Sequence, residues 1–134
     1  MDMQEKMTFS GDFDADRDGL GSLLGKKENY DIIYHQFPAA GTVLGLYVVQ
    51  GFVNTEVLAD IMWSLQKVGA PPEEEKDIWS YVKNHITFFQ VAACETLEDA
   101  AAAVLMGQTA IFIAGATKGL ILDIRQYAAR TPAE

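Results

Sequence analysis

The chain has 134 residues, of which 49% are hydrophobic and 22% charged, the size and apolar content of one globular domain with a real core. Its formal net charge of −9 would repel nucleic acid and anionic lipid, so neither is expected as a partner. A single cysteine, Cys94, excludes an internal disulfide and fits a reducing compartment, and no apolar run reaches the roughly 18 residues of a membrane span.

In chain order, residues 1–11 show no apolar period and are expected to be weakly held. Residues 1–7 are polar and charged, so no signal peptide is read there. Residues 12–19 read DFDADRDG. Asp14, Asp16 and Asp18 followed by Gly19 have the opening spacing of a calcium loop, and Ser22 is acceptable at its ninth place. The twelfth place needs a bidentate Glu and holds Gly25, which removes two oxygen ligands and argues against a metal. The rival reading is an acidic turn feeding a short helix through Leu20, Leu23 and Leu24, its acids favoured by the helix dipole. The domain boundary is drawn here, with residues 1–19 an acidic, mobile segment and residues 20–134 a single α/β subdomain.

Residues 29–37 carry Ile32, Ile33, Tyr34 and Phe37 and are predicted to form a strand, closed by a turn over 38–41. Residues 42–49, apolar throughout, predict a central strand. Residues 55–68 predict an amphipathic helix with Val57, Leu58, Ile61, Met62 and Leu65 on one stripe and Asn54 or Thr55 as N-cap. Gly69 to Pro72 end it, and Glu73, Glu74 and Glu75 then fit the first turn of a second helix that buries Ile78, Trp79 and Val82 and ends near His85. Residues 87–93 predict a third strand or an extended segment. Thr96 and Asp99 have the spacing of a capping box for a small-residue helix that ends at Gly107. Two apolar runs, 109–114 and 119–124, flank Gly115-Ala116-Thr117-Lys118 and predict a β-hairpin, with Gly115 and Gly119 placed where a reversal can need positive φ. Neither run alternates, so both of its faces should be covered. The whole is an α/β fold, a mixed β-sheet of four to five strands covered by three to four helices on both faces.

Little in the sequence carries catalysis. His35 and His85 are the only histidines. Cys94 fits no zinc spacing, and a Cys94–His85 pair is the one conceivable nucleophilic arrangement, although lone cysteines are ordinarily small buried residues. A helix start beside Cys94 would lower its pKa. Gly19, Gly21 and Gly25 make no phosphate loop. No enzyme and no cofactor are expected. At the end of the hairpin, Asp123 and Arg125 are expected to diverge to opposite faces and not to pair, which leaves them as a solvated strand exit or, with Tyr127 and Arg130, as an interface.

The hairpin also carries a resemblance. Leu105-Met106-Gly107, Ile111-Phe112-Ile113-Ala114-Gly115, Leu122-Asp123-Ile124-Arg125, Tyr127, Arg130, Pro132 and Glu134 resemble the soluble N-terminal region of the spore-germination GerA family. Ala114 and Ala128 depart from that family's usual Asp and Pro. Asp31, Phe37 and Gly51-Phe52-Val53-Asn54 extend the likeness upstream, with His35 where Arg is usual, so that it spans about residues 20–134. The resemblance implies a non-catalytic cytosolic part of a longer membrane protein, facing the spore core at the inner spore membrane and serving assembly or signal relay in a germinant-gated ion-channel complex. Its implied partners are a second soluble subdomain and the membrane region of the same polypeptide, and the other germination subunits. It also favours Asp123, Arg125, Tyr127 and Arg130 as the interface. A small-ligand sensor domain is the alternative.

Overall fold

The fold is taken from a computed structural model that describes residues 7–25, 31–86 and 91–125. Its elements are α1 (Phe13–Leu24), β1 (Ile32–Ala39), β2 (Thr42–Val49), α2 (Thr55–Gln66), α3 (Ile78–Asn84), β3 (Val91–Cys94), α4 (Leu97–Leu105), β4 (Thr109–Ile113) and β5 (Gly119–Leu122). The α/β class holds, with five strands and four helices. The strands form one sheet in the order β1-β2-β4-β5-β3, and every pair of neighbours is antiparallel. The sheet is therefore antiparallel and not mixed as expected. β3 and β4 both oppose β5, so they run parallel to each other, but the β4–β5 hairpin inserts β5 between them.

Helices cover both faces. Leu44, Leu46, Val48, Ile111, Ile113, Leu120 and Leu122 pack against Leu58, Ile61 and Leu65 of α2 and Val82 of α3. Tyr47, Ala110 and Phe112 point the other way, toward Leu20 and Leu24 of α1 and Ala100, Ala101 and Val104 of α4. This is the period-two alternation of strands buried on both sides, and it explains why the run at 109–113 is buried at every position.

The caps set the helix starts. The Asn54 side chain accepts from the N–H groups of Glu56 and Val57, and Thr96 from that of Asp99, as a capping side chain should. Gly107, at φ 102, follows the last residues of α4. α3 begins later than the three glutamates suggest. Asp77 is its cap, accepting from both the N–H and the hydroxyl of Ser80, which leaves Glu73, Glu74 and Glu75 outside the helix. The β1–β2 turn has two residues, Ala40 (φ 56) and Gly41 (φ 76). Pro38 stays in β1, opposite Val43, where the edge of the sheet tolerates a residue without an N–H. Gly115 (φ 92) supplies the positive φ of the β4–β5 turn; Gly119 does not. A Cβ at Gly119 would stand 3.0 Å from the Ile111 carbonyl and from the Phe9 ring, so close approach explains that glycine. Of the third predicted strand, residues 87–90 lie outside the described residues.

The boundary expected at residue 19 falls inside α1, which starts at Phe13. Upstream of it, Phe9 is buried, and the Phe9 N–H donates to the Glu95 carbonyl. The described part of the acidic segment therefore packs as part of the fold.

Candidate functional site

Three groups of residues were singled out in the sequence, and the fold treats each differently. Asp14, Asp16 and Asp18 lie on α1, not on a loop. Positions four apart share a helix face while the one between them points away. Asp14 and Asp18 accordingly sit at the surface and share Arg17, at 3.1 and 2.9 Å. Asp16 turns inward and is 2% exposed. Its Oδ1 accepts from the N–H and hydroxyl of Ser10, and its Oδ2 from the N–H of Gly11. Gly11 in turn accepts from the Gly115 N–H. The middle aspartate of the calcium-like spacing is thus an anchor that ties residues 10–11 to α1 and to the β4–β5 turn, and the three carboxylates do not converge on a cation.

Cys94 ends β3 and is buried on the α1/α4 face, its thiol 3.4 Å from the Thr96 carbonyl. Burial pushes the thiol up, with the neighbouring Thr96 hydrogen bond opposing it; desolvation outweighs any help from the helix start. His85 ends α3 on the opposite side of the sheet, with Nδ1 2.8 Å from the Tyr81 carbonyl oxygen and its ring against Tyr81. The sheet separates the two side chains, so they form no nucleophilic pair.

Asp123 and Arg125 follow β5, and they do pair. Arg125 Nε donates to Asp123 Oδ1 at 2.7 Å and Nη2 to Oδ2 at 2.8 Å, a two-pronged contact suited to a guanidinium. The expected divergence is wrong because residues two apart in an extended chain share a face. The stretch is held in place by its neighbours: Val53 and Arg125 form a β-bridge, and the Asn54 N–H donates to the Ile124 carbonyl at 2.7 Å. The Arg125 stem crosses Gly107, where an added Cβ would come within 2.9 Å of its Cδ and 3.2 Å of the Phe52 ring. The two side chains remain 35% and 20% exposed. Tyr127 and Arg130, the other half of the expected interface, lie outside the described residues.

Sequence reasoning missed one latch. Trp79 Nε1 donates to the Gly119 carbonyl at 3.0 Å, and Lys118 Nζ sits 4.0 Å over its ring. These contacts join α3 to the start of β5. Only the sequence separation of 40 residues hid them.

A sheet held between two helix layers, with its last strand leaving through an Asp–Arg clasp, defines a domain class and no reaction. The family described as Bacillus/Clostridium GerA spore germination protein matches residues 20–134, and the chain belongs to it. Among its relatives is stage V sporulation protein AF of Bacillus subtilis (strain 168), 26% identical over 111 residues; the match takes in 83% of this chain and 22% of that protein, so the chain spans under a quarter of the length of that relative. The fold is similar to the crystal structure of the N-terminal domain of the A subunit of the Bacillus megaterium spore germinant receptor GerK3, with a TM-score of 0.65 at 18% identity, over 91% of this chain and 99% of that one. Among the described residues no helix is long and apolar enough to cross a membrane.

Proposed function

We propose that the chain is a non-catalytic part of a longer spore-germination membrane protein, lying on the cytosolic, core-facing side of the inner spore membrane. It works by contact, in assembly or signal relay of a germinant-gated ion-channel complex. The family match across residues 20–134 carries this reading. The candidate contact is the chain exit: the part-exposed Asp123–Arg125 clasp, beside exposed Phe52, together with Tyr127 and Arg130. Its partners are the following soluble subdomain, the membrane region, and other subunits of the complex.

A thermal-shift screen of the chain with nutrient germinants, calcium and dipicolinate separates contact from ligand sensing. A ligand at a hundredfold excess over its Kd would stabilise the fold by about 2.7 kcal/mol. The contact reading expects no shift with any of them. A saturable shift would replace it with the small-ligand sensor.

A further inference from the structure

The open edge of the sheet at β1 is the feature that the family reading leaves unused. Among the described residues, β1 has β2 as its one neighbour in the sheet. Edge strands are ordinarily guarded by charge, by shortness or by proline, because their outward N–H and C=O groups template further pairing. β1 is eight residues long and carries no Asp, Glu, Lys or Arg, in a chain where 22% of residues are charged.

The register says which backbone groups face outward. A two-residue hairpin places its flanking residues, here Ala39 and Thr42, in a hydrogen-bonded pair, and such pairs then alternate along the ladder. The Gln50 N–H bonded to the Asp31 carbonyl fits the same phase. Odd-numbered residues therefore bond to β2, and Ile32, Tyr34, Gln36 and Pro38 turn their backbone groups outward. Pro38 has no donor, so it stops a ladder at the turn end and leaves Ile32 to Gln36 as its usable length.

Side chains at odd positions lean toward α2, since Phe37 packs with Leu58 and Leu65. There, between β1 and α2, lies an apolar groove of about 320 Å³ lined by His35, Leu58, Met62 and Trp63, among others. Trp63 is 65% exposed. By helix spacing Glu56 and Asp60, exposed on α2, follow Thr55 and Ala59 of the lining toward solvent, and Lys67 Nζ lies 5.3 Å over the Trp63 ring.

We infer that β1 and the α2 groove form a docking site for an extended segment of a partner protein that adds to the sheet as a sixth, antiparallel strand. Main-chain bonds to Ile32, Tyr34 and Gln36 hold the segment. Every second side chain, apolar, enters the groove against Met62 and Trp63, and Lys or Arg at its ends meets Glu56 and Asp60. Backbone pairing supplies affinity and the alternating pockets supply specificity; the acidic border, in a chain of net charge −9, selects a basic segment.

The probe is an acetylated, amidated peptide in which Val alternates with Thr between terminal lysines, titrated into the chain by NMR. The expected result is saturable binding that moves the amide signals of Tyr34 and Gln36 and the Trp63 indole. Gln36→Pro, which removes an outward donor and leaves the β2 ladder intact, should weaken binding by about tenfold or more, and Trp63→Ala similarly. Methylating the Thr amides, which face β1 in an antiparallel addition, should abolish binding; methylating the Val amides should not. Replacing the lysines by glutamates should weaken it. If Gln36→Pro fails to fold, the methylated peptides decide the matter in the unaltered chain. No saturable binding at about millimolar peptide, binding indifferent to Thr methylation, or self-association of the chain that Trp63→Ala abolishes would each overturn the proposal, the last by making a second copy the occupant.

Discussion

The two faces of the sheet are packed on different terms. The α2/α3 face is mainly aliphatic: Leu, Ile and Val from β2, β4 and β5 meet Leu58, Ile61, Leu65 and Val82, with Phe37 of the edge strand and part-buried Trp79 and Tyr81 beside them. The α1/α4 face is built around rings. Phe112 lies 5.0 Å from Phe13, 6.2 Å from Tyr47, and 6.4 Å from both Phe9 and Tyr34. Rings of that size fit only where something is missing. A Cβ at Gly45 would stand 2.5 Å from the Phe112 ring, and one at Gly21 of α1 would stand 2.7 Å from the Tyr47 hydroxyl. That hydroxyl donates to the Arg17 carbonyl inside α1, and Ala100, Ala101 and Ala103 keep α4 small where it is buried. One face is filled mostly by interchangeable aliphatic volume, the other by matched large and small residues. The aromatic face should therefore be the less forgiving.

The largest effect should come from its centre. Phe112→Ala is expected to cost about 3–5 kcal/mol in urea unfolding. Gly45→Ala should cost about 1–3 kcal/mol by overpacking, while Ile111→Leu on the aliphatic face should cost less than about 1.5 kcal/mol. The double variant Gly45→Ala, Phe112→Leu should lose less than the sum of its parts, because both changes act on one contact. Equal tolerance of the two faces would break the comparison.

Asp16 tests whether the aromatic face depends on its upstream strap. Asp16→Ala orphans the Ser10 and Gly11 donors and should cost about 1–3 kcal/mol, with faster hydrogen exchange at Phe9. A loss within about 0.5 kcal/mol would put Asp16 among ordinary surface residues.

Tyr47 gives the smallest effect at neutral pH and a distinct signature in alkali. Burial, first, and then Tyr34 push its hydroxyl from 10.0 up to about 12. The unfolded chain therefore loses this proton first, and the stability present below pH 10 falls as pH rises toward about 12. Tyr47→Phe should cost about 1 kcal/mol at pH 7 for the lost hydrogen bond and should flatten the alkaline fall. Tyr34, also raised by burial, keeps its own share of it. An unchanged alkaline limb would remove Tyr47 from the account.

Much of this architecture is legible in local sequence. β2, the Asn54 and Thr96 caps, the Gly107 stop and the β4–β5 hairpin all follow from periodicity and turn chemistry within a few residues. Most of the misses are relations across the fold; the late start of α3 at Asp77 is a local one. The DADRDG spacing already lacks the closing Glu of a calcium loop, but that Asp16 faces Ser10 needs the fold. In the sequence Gly21 is one of three glycines that make no phosphate loop and Gly45 one residue of an apolar strand, whereas the reason for each is a ring from a strand distant in sequence. Of the candidate contact, Asp123 and Arg125 are where the hairpin reading puts them, yet their clasp went unread because an i, i+2 pair was assigned to opposite faces. The partner of Trp79 and the exposure of the β1 edge require the strand order, which no local pattern contains.

The contact reading is tested most directly by Arg125→Ala, measured twice: for unfolding free energy in this chain and for germinant response of the intact protein in spores at equal protein level. A part-exposed ion pair contributes at most about 1 kcal/mol, so the account predicts a loss of that size or less in the chain, with a response reduced by about tenfold or more. A loss above about 2 kcal/mol, beyond what surface positions cost, would make Arg125 an internal anchor clamped over Gly107; that result, or an unchanged response in spores, would contradict the account.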